Sequence, residues 1–169
     1  MGFQQKNPRT DFRGGGHLSL LCLIYMSENY AEEFQEMVKV TKEKEELMWL
    51  TAISSINMTH ALIIYFYMND GHVSPQLEKC RAGRVQFKKF CNLNSLSKRA
   101  FFVIHCFGVR HVYHSWLNAI NEIGVEKIPE LMVRFSVLVE EAKAAISALL
   151  AEKALDMHRL IRRSEEIIQ

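Results

Sequence analysis

Residues 99–123 read RAFFVIHCFGVRHVYHSWLNAINEI and are followed by Gly124. Apolar side chains dominate this stretch, and charged side chains are few and far apart. Ser97, just before it, is a residue type that commonly caps the start of a helix, and glycine commonly ends one. The pattern therefore predicts a long, apolar-rich helix from Arg99 to Ile123.

Upstream of this helix, the chain predicts three more helical segments. Two short helices that meet near Asn29 are predicted from apolar residues at helical spacing. These residues are Leu18, Leu21, Cys22, Tyr25 and Met26 in the first helix, and Tyr30, Phe34, Met37 and Val38 in the second. A long central helix is predicted from Glu45 to Met68, because Asn69-Asp70-Gly71 and Ser74-Pro75 follow as turn residues. Residues 76–92 are more polar, which predicts a short amphipathic helix or an ordered linker.

Downstream, Pro129 is placed to occupy the first turn of a final helix. Residues 130–169 contain no glycine or proline and are rich in Ala, Leu, Glu, Lys and Arg, so they predict a single helix to the C-terminus. No region alternates between apolar and polar residues in the manner of a strand. We therefore predict an all-α fold, a single-domain helical bundle with an N-terminal Gly-rich loop and a long C-terminal helix.

Composition narrows the class of protein. Of the 169 residues, 49% are hydrophobic and 24% charged, as in soluble globular domains. The formal net charge is only +2, and the Lys and Arg residues are spread along the chain with no extended basic stripe. This argues against DNA or RNA as a main partner. The four cysteines, Cys22, Cys80, Cys91 and Cys106, have no CxxC spacing and are typical of reduced core thiols. With no secretory signal pattern at the N-terminus, a cytoplasmic location is predicted.

One segment has the length of a membrane span. Residues 48–68 contain no Asp, Glu, Lys or Arg. Polar residues cluster in the middle of the segment, among them Asn57, Thr59 and His60, which favours a buried helix over one facing lipid. We expect these three residues to hydrogen-bond neighbouring helices and to fix their register.

The N-terminal segment carries the clearest functional pattern. Residues 2–16 read GFQQKNPRTDFRGGG, in which Pro8, Thr10 and Asp11 favour a turn. The three glycines permit positive φ values and a close approach to another surface. We therefore expect Arg13 to lie in an exposed loop just before the first helix, where its planar guanidinium could reach a phosphate of a bound partner.

This segment resembles the signature of the ELMO (engulfment and cell motility) domain. That signature has a Gly-Phe-Gln triplet, a spaced proline, a Thr-Asp-Phe-Arg-Gly core and downstream leucines. The matching positions are Gly2, Phe3, Gln4, Pro8, Thr10, Asp11, Phe12, Arg13, Gly14, Gly16, Leu20 and Leu23. Residues 50–59 resemble the family's central helix, and residues 101–116 are similar in character to its aromatic-rich helix.

The resemblance also suggests domain boundaries. The family places a tryptophan four residues before the first glycine of its motif, preceded by helical sequence, and neither precedes Gly2 here. We therefore expect that the N-terminal part of the family domain is missing. Residues 1–146 are predicted to form the ELMO-like helical domain, and residues 147–169 a C-terminal helical extension.

The resemblance implies an activity. Domains of this family are associated with activating GTP hydrolysis by Arf and Arf-like small GTPases, in membrane traffic and cytoskeletal control, with the motif arginine as the catalytic residue. Arg13 holds that position. The resemblance assigns loop positioning to Gln4, Pro8, Thr10, Asp11, Gly14 and Gly16. It implies no cofactor in the chain itself, because GTP and Mg²⁺ belong to the partner GTPase.

Other interpretations of the same residues stay open. Arg13 could pair with Asp11 and only hold the loop, an exposed pairing that contributes about 0–1 kcal/mol. Gln4 could orient an attacking water, with loop hydrogen bonding as the alternative. At the level of function, the alternative is a non-catalytic adaptor of the engulfment type that works with Dock-family exchange factors upstream of Rac. That branch does not keep the motif arginine. An inactive fragment or isoform is a third interpretation.

Two further clusters of side chains are candidate binding sites. His105, Cys106, His111 and His114 lie within three helical turns and superficially suggest a metal site, but a structural zinc needs four convergent ligands. Histidines with satisfied hydrogen bonds on a packed helix are the preferred interpretation. Arg159, Arg162 and Arg163 could touch an anionic membrane or an acidic partner from a peripheral position, against a solvated charged face as the alternative.

Overall fold

The computed structural model describes residues 3, 11–12, 15–66, 68, 81–152 and 155–168. Within these residues the protein contains seven α-helices and no strand, so the predicted all-α fold is confirmed. The helices are α1 (Gly16–Asn29), α2 (Ala31–Glu43), α3 (Thr51–Tyr65), α4 (Arg81–Leu96), α5 (Ala100–Ile123), α6 (Ile128–Leu150) and α7 (Met157–Ile168). Short 3₁₀ helices at Glu45–Leu47 and Val125–Lys127 precede α3 and α6.

The predicted long, apolar-rich helix is confirmed as α5, which is the axis of the bundle. It contacts α1, α3, α4, α6 and α7, and most of its length is buried. The Oγ of Ser97 accepts a hydrogen bond from the N–H of Arg99 just before the helix. Gly124 ends it with a φ of +86°, in the left-handed region that favours glycine. A helix surrounded on all sides can be apolar on all sides.

The two short helices predicted around Asn29 are confirmed as α1 and α2. They are separated by Tyr30, whose N–H donates to the carbonyl of Met26. Cys22 and Met26 of α1 and Met37 of α2 are fully buried. The predicted apolar positions are therefore buried or half-buried, except Leu21, which is exposed.

The predicted central helix starts later than expected. The sequence predicted a helix from Glu45, but α3 begins at Thr51. Met48 has a φ of +51°, which breaks the helical path and turns Trp49 into the core. The indole Nε1 of Trp49 donates to Oγ1 of Thr51 at 3.1 Å, and this hydroxyl lies 2.8 Å from Oγ1 of Thr41 on α2. Burial of the indole outweighs the helical tendency of the preceding residues.

Helix α3 ends near the predicted stop. Its last residue is Tyr65, and the N–H of Met68 still donates to the carbonyl of Ile63. The turn residues 69–71 and the start of the predicted 76–92 segment lie outside the described residues. The rest of that segment forms α4, which begins at Arg81 and runs on to Leu96. Within the described residues, no helix is long and apolar enough to cross a membrane.

The predicted single C-terminal helix is two helices. Pro129 lies in the first turn of α6, as expected, but α6 ends at Leu150 and α7 starts at Met157. The carboxylate of Asp156 accepts the N–H of Arg159 at 2.8 Å and stabilises the start of α7. Helix α7 packs against α5 and α6, and its Leu160 is fully buried. Burial of Leu160 stabilises the arrangement in which α6 and α7 are separate helices.

A buried arginine ties α7 to the rest of the bundle. Arg110 of α5 donates to Oε1 and Oε2 of Glu165 on α7, and to Oε1 of Glu33 on α2, each at 2.7 Å. Its guanidinium carbon lies 5.0 Å from the ring centre of Tyr30. A second ion pair joins Arg163 of α7 to Glu152 at 2.8 Å. Residues from α2, α5 and α7 are thus linked at one point.

Candidate functional site

The candidate site is the N-terminal segment that contains Arg13. Arg13, Gln4, Pro8, Thr10 and Gly14 lie outside the described residues, so their predicted roles stay predictions. The described residues next to them are Phe3, Asp11 and Phe12 on one side and Gly15 and Gly16 on the other. These five residues define how the segment meets the helical bundle.

An aromatic pair closes the upstream side of the segment. The rings of Phe3 and Phe12 lie 5.8 Å apart between centres, tilted by 54°. Each residue is half-buried, as is Asp11 beside them. Aromatic pairs at this distance add roughly 0.5–1.5 kcal/mol beyond the area they bury. The contact joins the Gly-Phe-Gln triplet to the Thr-Asp-Phe-Arg-Gly core, nine residues away along the chain.

Gly15 and Gly16, on the downstream side of the segment, are required for different physical reasons. Gly16 is exposed and has a φ of +55°, a conformation that glycine adopts without strain. Gly15 is buried, and a Cβ there would lie 1.9 Å from Oγ of Ser19 and 3.2 Å from Cγ2 of Thr59. The backbone at Gly15 therefore lies close to Ser19 of α1 and Thr59 of α3, and a side chain there would displace Oγ of Ser19.

Sequence comparison agrees with this architecture. The sequence profile of the ELMO/CED-12 family matches residues 1–131. This protein belongs to the ELMO/CED-12 family. The match includes the Arg13 segment and helices α1 to α5, so the family's domain makes up most of this chain.

Individual ELMO-domain relatives match shorter regions. The human ELMO domain-containing protein 2 is 42% identical over 59 residues, which is 35% of this chain and 20% of that protein. The Dictyostelium discoideum ELMO domain-containing protein A is 30% identical over 114 residues, covering 67% of this chain and 12% of that protein. Protein B of the same organism is 32% identical over 99 residues, covering 53% and 34%.

The chain therefore spans about a third or less of the length of these curated relatives. No solved structure matches the chain significantly. The family membership applies to the domain, and the relatives extend well beyond the matched region.

Of the three residues predicted to hydrogen-bond neighbouring helices of this ELMO domain, only Thr59 does so among the described contacts. Asn57 and His60 are exposed, and Thr59 is buried but donates to the carbonyl of Ser55 in its own helix at 3.0 Å. The prediction is therefore wrong for Asn57 and His60, whereas Thr59 also makes the predicted interhelical contact through a side-chain hydrogen bond with Cys22 of α1. Nε2 of His105 on α5 lies 3.0 Å from the carbonyl oxygen and 3.2 Å from Oγ of Ser55 on α3. Burial lowers the pKa of His105 to about 4.

The position of His105 in a long apolar stretch was a usable signal that it is buried. What the sequence could not supply was its partner, because Ser55 is fifty residues away and unremarkable in its own helix. The structure adds that burial also lowers the pKa of His111. Among the described residues, no group of three or more His, Cys, Asp or Glu is placed to hold a metal ion.

Two of the cysteines are core thiols of the ELMO domain, as predicted. Cys22 and Cys106 are fully buried, and burial raises the pKa of Cys22 to about 12 and that of Cys106 well above its usual value. Such thiols carry almost no nucleophilic thiolate at neutral pH. Cys91 is exposed, against the expectation, and Cys80 lies outside the described residues.

The exposed polar residues Asn57 and His60 of α3 line a groove between α3 and α6. One part, with a volume of about 450 Å³, is lined by His60 and Asn57 of α3 and by Phe135, Val139 and Lys143 of α6. A second part of about 150 Å³ shares Asn57 and Phe135 and ends at the two tryptophans. Lys143 is paired with Glu140 at 2.5 Å. The groove walls are mainly apolar.

Proposed function

We propose that this protein binds an Arf or Arf-like GTPase in its GTP-bound state and accelerates GTP hydrolysis by inserting Arg13. The observation that carries the proposal is that Arg13 occupies the arginine position of the family motif, inside the segment that the family profile matches. The proposal is supported by the two flanks of this arginine. Phe12 is packed on Phe3, and Gly15 is packed against α3.

The chemistry follows from the charge that develops during phosphoryl transfer. Negative charge spreads over the γ-phosphate oxygens and the leaving oxygen in the transition state. A guanidinium offers five N–H donors in a plane and can contact two of these oxygens at once. An arginine supplied by a second protein is worth roughly 10³–10⁵ in rate in GTPase activators. Arg13 would act on the partner's reaction, so this chain is an activator and carries out no reaction alone.

The neighbouring residues would position the arginine. Asp11, at the half-buried end of the turn, can accept backbone N–H groups, and Gly16 provides the positive φ at the entry to α1. Gln4, Pro8, Thr10 and Gly14 are proposed to shape the rest of the loop. GTP and Mg²⁺ are contributed by the GTPase. The proposed place of action is the cytoplasm, with peripheral membrane contact where the GTPase is located.

Single-turnover GTP hydrolysis tests the proposal. A panel of Arf and Arf-like proteins is loaded with GTP and mixed with the parent protein or with Arg13→Lys. Lysine keeps the charge but loses the bidentate fork, so we expect a loss of at least a hundredfold in the accelerated rate. Circular dichroism establishes that the variant is folded.

Arg9 provides a matched control, because it is a second arginine in the same segment. Arg9→Lys should keep the accelerated rate to within about threefold, a small change on the scale set by the arginine effect. Equal activity of Arg13→Lys and the parent would overturn the catalytic role of Arg13. GTPase binding without acceleration would instead favour the adaptor that acts with a Dock-type exchange factor.

A further inference from the structure

Helix α1 has an exposed face that is apolar. Leu20, Leu21 and Ile24 are 42%, 38% and 43% exposed, and together they form what we term the α1 stripe. Their spacing places them on one side of the helix, opposite Cys22, Leu23 and Met26 in the core. The exposed residues next to the stripe are His17 at one end and Glu28 at the other.

The following helix shows what a solvated face of this protein looks like. The exposed positions of α2 are Ala31, Glu32, Gln35, Glu36, Lys39, Lys42 and Glu43, nearly all polar or charged. In α1, by contrast, no Asp, Glu, Lys or Arg occurs between Gly14 and Ser27. Single exposed leucines are ordinary, but a contiguous apolar face without charge on a surface helix indicates an interaction site.

The stripe is also close to Arg13 along the chain. Gly16, the first residue of α1, is three positions after Arg13, a chain length of at most about 11 Å. Leu20 lies one helical turn further, about 6 Å along the axis. A stable protein interface covers about 800 Å² on each partner, a patch about 30 Å across. A partner that receives Arg13 at its nucleotide would therefore extend over the start of α1.

We infer that the α1 stripe is the docking surface for the GTPase on which Arg13 acts, and that it packs against an apolar patch beside the partner's nucleotide site. This inference rests on the proposed function. The stripe supplies affinity, whereas Arg13 supplies rate. Burial of apolar side chains contributes binding free energy roughly in proportion to the area covered, while charges at the edge of an interface contribute little.

The test separates binding from rate. Leu20→Glu/Ile24→Glu places two charges on the stripe with a residue type that favours helix. Val137 of α6 is 51% exposed, and Val137→Glu is the matched control. We expect the double variant to weaken binding of a GTP-loaded Arf-type GTPase at least tenfold and to raise the half-saturating concentration equally, with the maximal single-turnover rate within twofold of the parent. Val137→Glu should change neither quantity.

Each alternative has its own signature. If the double variant, folded by circular dichroism, binds the GTPase as tightly as the parent, the docking role is overturned while the proposed function stands. If the parent neither binds nor accelerates any GTPase of the panel, both fail together. If the substitutions instead dissolve a dimer seen by sedimentation, or abolish binding to phosphatidylcholine–phosphatidylserine vesicles, the stripe belongs to that occupant and the inference is overturned.

Discussion

His105 has one paired ring nitrogen and one without a partner. Nε2 contacts the carbonyl and hydroxyl of Ser55, and Nδ1 is buried and unpartnered. The arrangement suits a neutral imidazole that donates through Nε2. A charged imidazolium would have to leave Nδ1–H without an acceptor inside the core.

This burial predicts a loss of stability in acid. The pKa of His105 is about 4 in the folded protein against 6.5 normally, so the unfolded chain takes up the proton first as the pH falls. Stability is fully present above pH 6.5 and is lost between pH 6.5 and pH 4, by about 2 kcal/mol at pH 5. Urea unfolding at pH 7 and pH 5 measures the change.

His105→Gln is the control, because its amide can still donate to Ser55 but cannot titrate. Other groups titrate equally in both proteins, so the parent should lose about 2 kcal/mol more than the variant between the two pH values. Equal losses would contradict the assignment to His105.

The Gly15 contact predicts a coupled pair of substitutions. Gly15→Ala places a methyl group against Oγ of Ser19 and should cost about 1–2 kcal/mol in free energy of unfolding. Ser19→Ala should be neutral or stabilising by about 1 kcal/mol, because it removes a buried hydroxyl without a hydrogen-bond partner. The double variant should recover part of the loss.

Gly16→Ala distinguishes crowding from backbone strain. Gly16 has open space around it but a φ of +55°, so alanine there should cost roughly 1–2 kcal/mol that Ser19→Ala cannot recover. A urea-denaturation cycle on both glycines measures these couplings. Additivity at Gly15 would refute the close contact with Ser19.

At the scale of the elements, α7 depends on one buried cation. Arg110 holds Glu165 of α7 through two hydrogen bonds and Glu33 of α2 through one. The carboxylates are partly exposed while the guanidinium is buried. Loss of the arginine should therefore leave both acids able to hydrate, but with no attraction between α2 and α7.

Arg110→Met and Glu165→Gln should consequently act differently. We expect Arg110→Met to lower the free energy of unfolding by about 2–4 kcal/mol, because it breaks the contact among α2, α5 and α7. Glu165→Gln should cost less, about 1 kcal/mol, since Arg110 keeps Glu33. Hydrogen exchange should show faster opening of α7 in both variants. Unchanged α7 protection in Arg110→Met would contradict the anchoring role.

The element boundaries show where local sequence was sufficient. Gly124 and Pro129 carry backbone preferences of their own, and both lie where predicted. Met48 and Asp156 lie at two places where the helix boundaries differ from the prediction. In each case a nearby side chain, Trp49 or Leu160, is buried in the core. The residues that bury it are distant in the chain, so the local sequence does not show the stabilisation.

At the scale of the whole molecule, the core predicts the reactivity of the thiols. Cys22 and Cys106 are fully buried and Cys91 is exposed. In a Cys80→Ser background, one thiol should react quickly with a chromogenic disulfide reagent in the native state, and three should react after denaturation. Rapid native labelling of two or three thiols would contradict the packing of α1 on α5.

The two tryptophans provide the matching optical measurement. Trp49 and Trp116 are both buried, and Nε1 of Trp116 donates to the carbonyl of Leu47 at 2.9 Å. Their fluorescence should therefore report the same cooperative transition as helix content and thiol exposure. A fluorescence midpoint that differs from the circular dichroism midpoint would show that this part of the core unfolds separately.

The sequence by itself determined the helical class, the long apolar-rich helix α5 and the family. Apolar spacing, glycine and proline are local properties, and the motif around Arg13 is a run of neighbouring residues. Only the tertiary structure decided which polar residues meet, as for Ser55 with His105 and Arg110 with Glu165, and which apolar face of α1 stays exposed. These outcomes depend on contacts between residues far apart in the chain. A local sequence pattern contains no information about the free energy of such contacts.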